Sequence, residues 1–123
     1  MKFAALIATV VVVLTAAAAA TAGTSSLRVI GSSSSSGDFA TTAPTAHARG
    51  VHALYLRGTG RHLENGMAWV ACTRGSSLGS KQTTIGRMVS GRLYRLRMAF
   101  PGDCQVTASV TGSGPIKLQI LAR

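Results

Sequence analysis

Arg61, His62 and Glu64 fall within four consecutive residues, "RHLE". Together they are the types that cleave a phosphodiester without a metal: a carboxylate as base, an imidazole as acid and a guanidinium for the charge that builds on phosphate. Catalytic trios are usually gathered from separate elements, whereas these three are sequence neighbours in one polar stretch, whose composition alone accounts for them. A small secreted nuclease is therefore the third-ranked reading. His47, His52 and His62 are the only histidines, separated by four and nine residues, and no acid adjoins the first two. That spacing matches no tight zinc or copper motif, so no metal is expected. Serine is abundant but occurs in no nucleophile-elbow motif, and nothing calls for a cofactor. The chain reads as a non-enzyme.

A second constellation opens the Gly/Ser-rich stretch "ACTRGSSLGSK", residues 71 to 81. Cys72-Thr73-Arg74 is similar to the segment by which small secreted serine-protease inhibitors present a specificity residue two places after a cysteine. The resemblance covers three residues. It implies an exposed loop with Thr73, Arg74 and Gly75 at its tip and an extracellular trypsin-like protease as partner.

The broader signal is charge. The 123-residue chain carries 13 Lys and Arg against three acids, Asp38, Glu64 and Asp103, a formal net charge of +10. Removing Lys2 with the N-terminal leader described below leaves twelve cations against those three acids, or +9. Arginines outnumber lysines ten to three, which suits bidentate contacts to phosphate, sulfate or carboxylate. Arg95, Arg97, Lys117 and Arg123 form the predicted anion-binding surface, because strand parity sends them to outer faces. Such a face attracts an anionic polymer or cell-wall surface through summed field and need not read any sequence. Tyr94, interleaved with these arginines, has the opposite parity and points inward.

These side chains need strands to hold them. From Cys104 to Thr111 every even position is apolar and every odd one is polar, which is the period of a half-buried strand. The same parity returns at Ile116, Leu118, Ile120 and Ala122. "GSGP" between them predicts a turn, and with it a C-terminal β-hairpin over residues 104 to 123. Tyr94, Leu96, Met98 and Phe100 alternate likewise, and "PGD" at 101 to 103 predicts a turn into the next strand. Further strands are expected at 51 to 57, 67 to 73 and about 83 to 89. In the second of these, Ala68, Val70 and Cys72 face inward, and Trp69 lies on the other side or at an edge. No helical period appears after the leader, so the expectation is all-β: a small antiparallel β-sandwich of six or seven short strands.

Residues 1 to 22, with Lys2 ahead of an unbroken apolar run and Ala20-Thr21-Ala22 at its end, read as a signal peptide. The protein is accordingly expected to be secreted and extracellular. No membrane span is expected in the mature form. Residues 23 to 50, rich in Ser, Gly and Thr, read as a flexible arm or linker with one short strand at 27 to 30. Residues 51 to 123 form the expected sandwich domain. In an oxidising compartment Cys72 and Cys104 should pair, closing a loop worth about 3 to 4 kcal/mol in the chain-entropy model.

Overall fold

Val51 lies in register with Gly102 and Leu54 with Ala122, although only three residue steps separate Val51 from Leu54. Three steps span about 10 Å, whereas the twenty steps from Gly102 to Ala122 would cover about 66 Å as a straight strand. The strand that contains both must therefore fold back on itself. The sheet built on it doubles over into two layers, and the 10 Å link matches the spacing of packed sheets.

The computed structural model describes residues 26–123; the segment expected to be a signal peptide, residues 1 to 22, lies outside the described residues. Seven strands follow in order: β1 (Arg28–Ser35), β2 (Ala40–Thr42), β3 (Thr45–Val51), β4 (Leu54–Arg74), β5 (Ser77–Gly86), β6 (Leu93–Leu96) and β7 (Gly102–Ala122). All pairings are antiparallel. β7 runs down the middle, flanked on one side by β1, β2 and β3 in succession and on the other by β4. The first layer holds β1, the C-terminal part of β7, the N-terminal part of β4, and β6. The second holds β2, β3 and the remaining parts of β7 and β4, with β5 at its edge. Among the described residues no helix is long and apolar enough to cross a membrane.

Both long strands bend at mid-length. In β4 the register to β7 shifts between Thr59 and Arg61, between Arg61 and Glu64, and between Glu64 and Met67. Such bulges bend a strand and steepen its twist. His62 and Asn65 adopt φ of 53° and 56° there, and Gly114 in β7 adopts 70°. Inside the fold, Leu54, Leu56, Val70, Val106, Val110, Leu118 and Ile120 are fully buried and join one core shared by both layers. Each such side chain contributes roughly 1.5–3 kcal/mol relative to exposure. Cys72 and Cys104, paired in register on β4 and β7, form the disulfide within this core.

Three sequence expectations are corrected. Residues 104 to 123 are not a hairpin: β7 continues unbroken, and "GSGP" bends the strand without reversing it. Parity is even on both sides of that bend, so one strand can bury both runs against the same interior. Residues 93 to 100 do not pair with β7 either, since β6 pairs with β4 and the chain then crosses to the other layer. Finally, the Ser-rich arm at 23 to 50 is structured from Arg28 onward as β1, β2 and β3, each paired with β7. Its inner positions Ala40, Thr42, Pro44, Ala46 and Ala48 are all buried. Small side chains suffice because this edge is where the layers meet: a Cβ on Gly31 of β1 would lie 3.0 Å from Ala46 Cβ and Thr45 O of β3. Ser33 and Thr42 exchange a side-chain hydrogen bond, and Ser35 Oγ donates to Thr41 O at 2.8 Å. The opposite edge, between β5 and β6, is filled by larger groups, with Met98 and Phe100 packed on the core.

Candidate anion-binding surface

The outer face of the first layer is built from cross-strand rows. Tyr55 on β4 lies opposite Arg95 of β6 and Leu121 of β7; Arg57 lies opposite Leu93 and Gln119; Thr59 lies opposite Lys117. Facing residues in an antiparallel pair share a side, so Arg95, Arg57 and Lys117 point the same way. Arg57 Nε and Nη2 both donate to Gln119 Oε1, at 3.1 and 3.0 Å, which holds the guanidinium along the sheet. Arg123, the residue after β7, lies beside Tyr55, its guanidinium carbon 5.7 Å from the ring centroid. The Arg123 backbone is clipped in place, with its N–H donating to Ala53 O at 3.0 Å and its carbonyl accepting from His52 N–H at 2.7 Å.

At the open edge of the sandwich this face turns into a cleft of about 580 Å³, lined by His52, Lys81, Arg95, Leu96, Arg97, Met98 and Pro101. Lys81 is in register with Val70, an inward position, but β5 is an edge strand, so its long side chain emerges between the layers. Arg97 N–H donates to Thr83 Oγ1 at 3.1 Å and ties the crossing segment to β5. Three fixed cations and one imidazole thus share the cleft with no acidic side chain. The acids lie elsewhere: Asp103 is 3.9 Å from Arg49, Glu64 is 3.9 Å from Arg87, and Asp38 follows β1. Both ion pairs are largely exposed, where such contacts contribute little.

Of the four residues predicted from parity, Arg95 and Arg97 line the cleft and Arg123 adjoins it across Tyr55. Lys117 sits toward the bend, in a shallow hollow with Ser34, Thr59 and Pro115. The offset of four residues along β4 and one strand to either side puts Lys117 about 16 Å from Arg95, with Arg57 between them. Sequence reading missed Arg57, Lys81 and His52. Arg57 could have been found from its shared parity with Tyr55; Lys81 carries inward parity and gave no signal.

The other candidates are also placed. Arg61, His62 and Glu64 are exposed at the bend of β4, where His62 and Glu64 line a hollow of about 390 Å³ with Arg87 in place of Arg61. Residues 71 to 81 are not an open loop but a hairpin: Arg74 pairs with Ser77 and Thr73 with Leu78 across the two-residue turn Gly75-Ser76. Among the described residues no three His, Cys, Asp or Glu gather where a metal ion could be held.

No family model and no curated protein matches the chain. Among solved structures it is similar to TmCBM61 in complex with β-1,4-galactotriose, at 13% identity and a TM-score of 0.38, over 80% of this chain and 87% of that one.

Proposed function

We propose that the protein is a non-catalytic, secreted binding module for an anionic extracellular polymer or cell-wall surface. The observation that supports this reading is the cleft in which Lys81, Arg95, Arg97 and His52 converge without an acidic side chain. Cations left without partners at close quarters repel one another, and an anion entering the cleft relieves that repulsion while taking several charge-assisted hydrogen bonds. Arg123, Arg57 and Lys117 extend the same sign across the first layer's outer face. A run of about 16 Å suits a polymer bearing several anions better than a lone ion. Tyr55 stiffens this surface by holding Arg123 against its ring.

The test is retention of the mature protein on immobilised heparin, DNA, anionic cell-wall material and trypsin, eluted with a salt gradient. Elution from the anionic supports should require salt, and Arg95→Ala with Arg97→Ala should elute earlier. Retention on trypsin alone, lost in Arg74→Ala, would replace this reading with the protease-inhibitor one. Turnover of RNA lost in His62→Ala would replace it with the nuclease one.

A further inference from the structure

The outer face of the second layer differs in kind from the cationic one. β4 is central there, between β7 and β5, and Trp69 stands on its outward side, 46% exposed. Its cross-strand neighbours are Thr107 on β7 and Gln82 on β5, and Thr45 on β3 follows Thr107. The next row carries His47, Gln105, Ala71 and Ser80 in register. Small Ala71 leaves room on one side of the indole. Rows adjoining Trp69 carry no formal charge, although the chain as a whole is strongly basic.

A large aromatic ring held at the centre of a flat sheet face, ringed by hydroxyls and amides, has a specific chemical complement. A pyranose presents one face of C–H groups and a rim of hydroxyls, so the indole covers the first while the surrounding side chains hydrogen-bond the second. A shallow hollow of about 230 Å³, lined by Thr45, Ala46, His47 and Gln105, lies on the same face. It is centred about 10 Å from Trp69, two strand spacings away, which leaves room for a neighbouring ring. A nucleic-acid strand would need several free cations here to meet its phosphates, whereas Arg49, beyond His47 on β3, is 3.9 Å from Asp103. A protein partner would call for a broader apolar centre than one indole with Met67 beside it and Leu78 two rows away, opposite Thr73 near the hairpin turn.

We propose that this face binds an uncharged polysaccharide, with Trp69 stacked on one sugar ring and Gln105, His47 and Thr45 hydrogen-bonding the next. The site lies on the outer face of the second layer and faces away from the cleft at the sandwich edge, so a chain holding both would bridge an anionic polymer to a neutral glycan.

Trp69 is the single tryptophan of the sequence, so its fluorescence reports the site directly. The experiment titrates the mature protein with soluble neutral glucan, mannan, xylan and galactan, and runs it in gels containing each. At least one polymer should shift the emission and retard migration, in low salt and in about 0.5 M salt alike, where attraction between exposed charges is largely screened. Trp69→Ala should weaken retardation at least tenfold with an unchanged melting temperature, Gln105→Ala should weaken it less, and Arg95→Ala should leave it intact. No response to any of the four polymers, retardation equal in Trp69→Ala, or loss of retardation in salt would each overturn the proposal.

Discussion

Arg97 and Thr83 join the two layers at the cleft: the Arg97 N–H donates to Thr83 Oγ1 at 3.1 Å, fastening the segment after β6 to β5. Since Arg95 and Lys81 flank this bond on their own strands, it sets how far apart the cleft's cations stand. Replacing Thr83 by Val keeps the shape and removes the acceptor. The loss should be about 0.5–1.5 kcal/mol, read as a fall in Tm of a few degrees. Salt needed for elution should fall less than in Arg95→Ala, because the charges remain.

The cations are expected to act in proportion to their place. If Lys81, Arg95 and Arg97 each meet one phosphate of a DNA or other polyphosphate ligand, removing any one should lower the slope of log affinity against log salt by about one. Lys117→Ala, about 16 Å from Arg95, should matter only for polymers long enough to span the face. Titrating short and long fragments of one polyanion separates the two cases. Equal effects of Lys117→Ala on both lengths would rule out a binding run along β4.

The disulfide should contribute chiefly by restricting the unfolded chain. Cys72 and Cys104 are 32 residues apart and fully buried, so their bond ties β4 to β7 in the second layer. Cys72→Ala with Cys104→Ala should cost about 2–4 kcal/mol in denaturant unfolding. The intact native protein should resist reductant until it unfolds, since both sulfurs are shielded from solvent. Rapid reduction without unfolding would contradict that burial.

The Ser-rich N-terminal ribbon is expected to be protected and structural. Amides of β1 that pair with β7 should exchange slowly, and Gly31→Val should destabilise by about 1–3 kcal/mol, because its first carbon already meets Ala46 and Thr45. Full exchange of residues 29 to 35 within seconds would restore the flexible-arm picture.

Strand parity was legible where large apolar residues mark it, which is why the inward positions of β7 could be read directly. The same parity puts Trp69 on the outer side or at an edge, which only the central place of β4 decides, and the Cys72–Cys104 pairing follows from there being just two cysteines. It was illegible where the buried residues are small: Ala40, Thr42, Pro44, Ala46 and Ala48 alternate faithfully, but composition rules weigh them as linker. Turn residues misled in a different way. Gly114-Pro115 can reverse a chain or merely bend it, and only the pairing of both halves of β7 with β4 decides between these. Arg95 and Arg97 followed from parity, whereas Lys81 depends on β5 lying at an edge, a property of topology that no local pattern carries.

His62 offers a test that separates backbone need from chemistry. Its φ of 53° lies in the left-handed region, where a β-branched residue fits poorly and glycine fits freely. If its role is to let β4 bend between the layers, His62→Val should cost about 1–2 kcal/mol although the position is exposed, and His62→Gly should be close to neutral. Both variants should keep full retention on anionic supports, since the cleft lies at the open edge of the sandwich, away from the bend. Equal stability of the Val and Gly variants would show that the bend is set elsewhere, by Gly60 and the register shifts around it. A loss of anion binding in both, without loss of stability, would instead give the imidazole a direct part in recognition.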